Sequence, residues 1–224
     1  MSFQDSIEKI AKEAIKLLRG VKVIGLGSGS TVGFIVREMA ELPDKESIEF
    51  MPTSLQIKLE AEKCSLRITD ENRIPQIDIA FDGADQIDSK FNMIKGGGGA
   101  LLREKILISA AKKVVIVADA PKFVQSFSRS VPIEVHPMAR SIVSKKLVEV
   151  GGRPVLRTLD KGYPLITENG NLILDTFFPS IADPKKMELE LKNIAGVLEV
   201  GFFTRRADIY YKAKNDGSFE IISF

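Results

Sequence analysis

The 224-residue chain has one cysteine, one histidine and no tryptophan. A single cysteine cannot close an internal disulfide, which excludes a small scaffold stapled by cross-links. One cysteine and one histidine cannot build a Cys/His zinc site within one chain. Any triad working through histidine would have to use His136. An excess of one charge is also lacking: 32 Lys and Arg against 30 Asp and Glu leave a net +2. That balance makes no electrostatic case for binding nucleic acid or a membrane surface. The longest apolar stretches fall far short of the roughly 20 residues that span a bilayer. The segment Met1 to Lys9 lacks the charged-then-apolar plan of a signal peptide. A cytoplasmic protein is the expectation.

What is present is an ordinary globular composition, 44% hydrophobic and 28% charged, over a length that suits one or two domains. Residues 3–18 carry apolar side chains at steps of three and four and predict an amphipathic helix stopped near Gly20. A short buried strand over 21–26 runs into a glycine-rich turn and then a helix over 32–40. The alternation continues with strands at 47–51, 77–81 and 114–118 and helices at 55–64 and 100–112. Strands alternating with helices imply a mostly parallel sheet covered on both faces. From about Pro132 the order changes to strand, helix, strand, strand, helix, strand. The strands there are 133–135, 154–159, 165–178 and 197–204, with helices at 138–150 and 184–194, and Glu168–Asn171 suggests a hairpin turn. This is the split βαβ order of a ferredoxin-like module. The last strands, 208–213 and 219–222, are expected to return to the first sheet. The predicted architecture is α/β: a Rossmann-like, mostly parallel, doubly wound sheet (1–130 plus 206–224) with a smaller ferredoxin-like α+β domain (131–205).

Four segments could carry chemistry. Gly25-Leu-Gly-Ser-Gly-Ser-Thr31 lets a ligand approach the backbone, offers helix N-terminal amides to an anion, and adds the hydroxyls of Ser28, Ser30 and Thr31. It matches neither the dinucleotide fingerprint nor a nucleotide P-loop, so a phosphate on a small molecule fits better. Asp82-Gly-Ala-Asp85 follows a strand directly, where ligands of α/β sheets bind, and could hold a metal, move protons or bind sugar hydroxyls. Asp88, just beyond it, reads as a solvated loop charge. Lys95-Gly-Gly-Gly-Gly-Ala100 runs into a helix bearing Glu104, which suits a ligand-hugging turn with a fixed cation. Asp119-Ala-Pro-Lys122 follows the next strand and offers a second amine. The four turns are expected to share one ligand crevice. Their side chains suggest proton transfer on a phosphorylated, hydroxyl-rich substrate.

The ordered motifs Gly-Ser-Gly-Ser-Thr (27–31), Asp-Gly-Ala-Asp (82–85), Lys-Gly-Gly-Gly (95–98), Arg-Glu-Lys (103–105) and Ala-Asp-Ala-Pro-Lys (118–122) closely resemble the type A ribose-5-phosphate isomerase family. So do Pro-Met-Ala-Arg (137–140), Gly-Gly-Arg-Pro (151–154) and Asn-Gly-Asn (169–171). The resemblance implies an aldose–ketose isomerase of the non-oxidative pentose phosphate pathway, without metal or organic cofactor, that assembles as a homodimer or homotetramer. It implies Glu104 as general base between C2 and C1 of the open-chain sugar, with Asp82 and Asp85 binding hydroxyls and assisting proton movement between oxygens or ring opening. Lys95 with the Gly96, Gly97 and Gly98 amides would stabilise the enediolate. Ser28, Gly29, Ser30, Thr31, Gly83, Ala84 and Lys122 would complete the phosphosugar site.

Two rival readings use the same kind of fold. A sugar-sensing repressor module would need a basic recognition helix, and none is present. A coenzyme A transferase would also use a glutamate, but the Asp82, Asp85 and Lys95 set favours the isomerase.

Overall fold

A computed structural model describes residues 3–69 and 76–224. In chain order, its first elements are α1 (Phe3–Ala14), β1 (Val23–Leu26), α2 (Ser30–Met39), β2 (Glu49–Pro52), α3 (Leu55–Lys63) and β3 (Ile77–Asp82). Then come β4 (Gln86–Ile87), β5 (Met93–Ile94), α4 (Leu101–Ala110), β6 (Ala111–Asp119), β7 (Val131–Val135) and α5 (Arg140–Glu149). The remainder is β8 (Arg153–Leu156), β9 (Leu172–Phe177), α6 (Pro184–Lys192), β10 (Val197–Val200), β11 (Phe202–Phe203), β12 (Ile209–Ala213) and β13 (Phe219–Ser223). The contacts divide the chain into two units, which are described separately. The first is Met1–Ala84, Arg103–Phe123 and Ala207–Phe224; the second is Asp85–Leu102 and Val124–Arg206.

In the first unit the strands lie in the order β13-β12-β6-β3-β1-β2. Neighbours from β12 to β2 pair in parallel, and only β13 runs antiparallel. The two C-terminal strands therefore rejoin the first sheet. Alternation along β1 points Ile24 and Leu26 to one face, where they join a core with Ile7 and Ile10 of α1, Val32 and Ile35 of α2 and Ile57 of α3. Gly25 points to the other face, and a Cβ there would meet the Leu107 side chain of α4 at 2.5 Å. Helices thus cover both faces of the sheet. The chain leaves β1 for β2 on one side and returns to β3 on the other. That makes the gap beyond the carboxyl ends of β1 and β3 the topological switch point.

In the second unit β10-β7-β9-β8 form an antiparallel sheet. Val143 and Leu147 of α5 and Leu191 of α6 bury against Val131, Ile133 and Val135 of β7 and Leu174 of β9. Asp183 caps α6 by accepting from the Lys186 amide at 3.0 Å, and Pro184 opens the helix. A second, three-stranded sheet runs β11-β5-β4.

Several local expectations need correction. The 3–18 helix is α-helical only to Ala14 and tightens into a 3-10 turn over Ile15–Leu18. The helix expected to 112 ends at Ala110, and Ala111 already pairs with Ile77 as the start of β6. The strand expected over 197–204 breaks at Gly201, and Phe202–Phe203 leave for the three-stranded sheet. Residues 165–167 are not part of a strand. The Glu168–Asn171 turn is present, with Gly170 donating to the Thr167 carbonyl at 2.9 Å, but it does not join two paired strands. The reason is Glu134, fully buried on β7. Its Oε1 accepts from Thr167 Oγ1, Asn169 Nδ2 and Asn171 Nδ2 at 2.8–3.0 Å and draws this turn inward. Asp88 is no simple surface charge either: it accepts from the Lys90 and Asn92 amides at 2.8 and 2.9 Å and shapes the turn from β4 to β5. His136 Nδ1 accepts from the Met138 amide at 3.2 Å and so caps a short 3-10 turn.

Candidate active site

In the first unit the candidate residues sit at the carboxyl edge of the parallel sheet. Three loops line up there because β6, β3 and β1 are neighbours: 27–31 after β1, 83–84 after β3 and 120–122 after β6. The Gly27 amide donates to the Phe81 carbonyl at 2.8 Å, which extends the β1–β3 pairing one residue into the loop. Asp82, the last residue of β3, is fully buried. Its Oδ1 accepts from the Gly83 amide at 2.7 Å and the Ser28 amide at 3.3 Å. Glu104 lies in the first turn of α4 and is 3% exposed. The Ser28 hydroxyl donates to Glu104 Oε1. Ser28 thus holds Asp82 by its backbone and Glu104 by its side chain. Two buried carboxylates from elements 22 positions apart in the chain are set by one residue of the β1–α2 turn.

Gly29, at a φ of 89°, is the residue before α2, and Ser30 and Thr31 are its first two residues. Their amides are among those that a helix start leaves without intrahelical partners, which suits an anion. Lys122 closes the 3-10 turn Ala120–Lys122, and its ammonium pairs with Asp119 at 2.9 Å.

The chain passes into the second unit within the Asp82–Asp85 motif. The Asp85 amide donates to the Ile94 carbonyl at 2.8 Å, and Asp85 Oδ2 accepts from the Gly97 amide at 2.8 Å. A Cβ on Gly97 would lie 2.6 Å from Asp85 Oδ1, so this approach requires glycine. Lys95 is buried at 2% exposure. Its amide donates to the Gly201 carbonyl at 2.9 Å, and its Nζ lies 5.4 Å from the centre of the Phe203 ring, a cation–π distance. Gly97 and Gly98 are exposed. Beside them is a cavity of about 350 Å³ lined by Asp85, Gly97, Arg129, Ser130, Pro132, Arg157 and Asp175. Among the described residues, no group of three or more His, Cys, Asp or Glu could hold a metal ion. Nor is any helix there long and apolar enough to cross a membrane.

The model of the family described as ribose 5-phosphate isomerase A (phosphoriboisomerase A) matches residues 49–217. The chain belongs to the ribose 5-phosphate isomerase A family. Among its relatives is ribose-5-phosphate isomerase A of Methanosarcina acetivorans, 41% identical over 98% of this chain and 95% of the relative. The ribose 5-phosphate isomerase A structure from Methanocaldococcus jannaschii superposes with a TM-score of 0.91 at 36% identity, over all of both chains. A D-ribose-5-phosphate isomerase solved in complex with phospho-erythronic acid gives 0.93 at 36% identity, again over all of both chains. Full-length coverage by isomerases removes the ground for the repressor-module and transferase readings.

Nothing in the sequence marks Phe203 beside Lys95 or the Arg157–Asp175 pair. Phe203 sits in a run of apolar residues that reads as core. Arg157 binds backbone carbonyls, which leave no mark on the residues that supply them.

Proposed function

We propose that this isomerase interconverts D-ribose 5-phosphate and D-ribulose 5-phosphate with Glu104 as the single base. In the open-chain aldose, the Glu104 carboxylate takes the proton from C2. The C–H electron pair becomes the C1–C2 double bond of an enediolate, and the C1 carbonyl electrons move onto O1. Return of that proton to C1, with the proton on O2 passed to O1, leaves the C2 ketone and a C1 hydroxyl. An α-proton of this kind is weakly acidic, so the developing oxyanion needs fixed donors and a cation. Lys95 and the amides of Gly96–Gly98 serve that purpose. Asp82 and Asp85 bind the hydroxyls and shuttle the oxygen protons, assisted by the Gly83 and Ala84 backbone. Ser28–Thr31 and Lys122 hold the remainder of the phosphosugar.

The observation that carries this reading is the Ser28 linkage, which fixes a buried carboxylate at the start of α4 beside a second one at the switch point. The relative bound to phospho-erythronic acid adds support, because a phosphorylated aldonic acid presents a planar carboxylate resembling an enediolate. The test is Glu104→Gln, assayed by direct formation of ribulose 5-phosphate. A drop of at least about 10³-fold in kcat with near-normal KM is the outcome for an interaction used only in the transition state. Near-normal kcat would remove Glu104 from the role.

The same reading extends to the architecture and setting. Within the expected Rossmann-like catalytic domain (1–130 plus 206–224), residues 85–102, 124–130 and Arg206 group by their contacts with the ferredoxin-like module (131–205) instead. The β10-β7-β9-β8 order, with two helices packed on β7 and β9, supports the ferredoxin-like assignment. The enzyme works in the cytoplasm without metal or organic cofactor, as a homodimer or homotetramer, in the non-oxidative pentose phosphate pathway.

A further inference from the structure

Arg157 follows β8 and is only 14% exposed at its side chain. Its backbone is fixed on both sides: its amide donates to the Ile173 carbonyl at 2.9 Å, and its carbonyl accepts from the Leu165 amide at 3.0 Å. The guanidinium is held in a two-pronged pair with Asp175 of β9, Nε to Oδ2 at 2.8 Å and Nη2 to Oδ1 at 2.5 Å. That leaves Nη1, which donates to the carbonyl oxygens of Gly96 at 2.8 Å and Gly97 at 3.0 Å.

Two successive carbonyls drawn to one guanidinium determine where the attached amides point. In a trans peptide the C=O and N–H bonds are antiparallel, and the chain has no cis peptide among its described residues. The peptides 96–97 and 97–98 therefore turn the N–H groups of Gly97 and Gly98 away from Arg157. The Gly97 amide meets Asp85 Oδ2 on that opposite side. The guanidinium also neutralises two carbonyl dipoles whose negative ends would otherwise oppose an oxyanion nearby. A four-glycine segment left to itself samples many peptide orientations, and fixing one of them costs conformational entropy. An arginine clamped by a carboxylate is a rigid device for selecting one of them.

We propose that Arg157, clamped by Asp175, is a positioning residue for isomerisation, orienting the Gly97 amide toward Asp85 and the Gly98 amide toward the reacting oxygen. The proposal rests on the reading of Lys95–Gly98 as the oxyanion-stabilising segment.

The test compares Arg157→Ala, Arg157→Lys and Asp175→Asn in the full-length enzyme. Each is assayed for kcat, KM and inhibition by phospho-erythronic acid, with circular dichroism to measure the folded fraction. For Arg157→Ala, kcat falls about 30- to 100-fold, KM moves less than about threefold, and the inhibitor weakens at least about tenfold, as for loss of preorganised donors. Free guanidinium at tens of millimolar restores part of kcat to Arg157→Ala, because the 350 Å³ cavity borders the vacated position. Arg157→Lys is intermediate. Wild-type kcat and inhibitor affinity in folded Arg157→Ala would overturn the proposal. So would losses that only track the folded fraction without guanidinium rescue. If Arg157→Ala does not fold, Asp175→Asn decides: a smaller loss of the same kind supports the role, and wild-type behaviour ends it. An inactive Glu104→Gln beside a fully active Arg157→Ala sinks this proposal alone. An active Glu104→Gln sinks the base assignment, while inhibitor affinity still reports on Arg157.

Discussion

A Cβ built on Gly27 would lie 2.1 Å from both the carboxyl carbon and Oδ1 of Asp82. The side chain of Asp82 occupies the space that any other residue at 27 would need. Gly27 is therefore required by a close approach rather than by backbone conformation. Gly27→Ala is expected to push the Asp82 carboxylate off the Ser28 and Gly83 amides. Activity should fall at least about 100-fold, the scale for misplacing a group by an ångström. The destabilisation should stay within the roughly 1–3 kcal/mol of an overpacked site. Steady-state kinetics with a urea titration checks both. Wild-type kcat in the variant would mean that the position of Asp82 is irrelevant to turnover.

Ser28 offers a cleaner separation of backbone and side-chain roles. Its amide binds Asp82 in any variant, whereas its hydroxyl alone reaches Glu104. Ser28→Ala should lower kcat/KM about 10- to 100-fold through a poorly aimed Glu104. Ser28→Thr keeps the hydroxyl and should remain within about threefold of wild type. Equal loss in both variants would point to crowding in the turn instead of the hydrogen bond.

Acid sensitivity should have a local source away from the site. Lys112 Nζ donates to Asp78 at 2.8 Å, and the Lys22 and Val23 amides donate to its other oxygen at 3.0 and 3.1 Å. The Lys112 hydrogen bond, helped by those amides, holds the Asp78 carboxyl below its ordinary range, although burial works in the opposite direction. A carboxyl depressed in the folded state adds stability above its unfolded pKa, and loses it as pH falls through the folded value. Asp78→Asn should therefore be less stable than wild type at pH 7, by up to about 1 kcal/mol after solvent screening. The difference should begin to shrink below about pH 4, the unfolded carboxylate range, and close only as pH falls through the lower folded value. Urea unfolding at a series of pH values from about 7 downward measures it. A gap that does not shrink as the pH falls below that range would mean the effect is not ionisation of Asp78.

The candidate site was largely legible because its parts are local. A strand, a small-residue turn and a helix start are written contiguously at 21–40, and the carboxylates of Asp82 and Asp85 stand beside turn glycines. Glu104 was legible because it follows the four-glycine run within the first turn of its helix. Residues that act at a distance leave no such local signature. Gly201 carries no sign that the strand changes sheets there. The turn at 168–171 has the composition of a hairpin, yet Glu134 on another strand draws it into a buried network.

The order of apolar and polar residues, by itself, determined an α/β chain with a parallel sheet, since helix and strand periods are properties of neighbouring residues. It also determined which side chains were available for proton transfer: carboxylates and amines, with one histidine that turned out to cap a short turn. Only the tertiary structure decided that Ser28 links Glu104 to Asp82, and that Arg157 holds the carbonyls of Gly96 and Gly97 from some sixty positions away. The physical reason is that such partners are chosen by strand order and by backbone groups, which are identical in every residue and so leave no trace in the sequence.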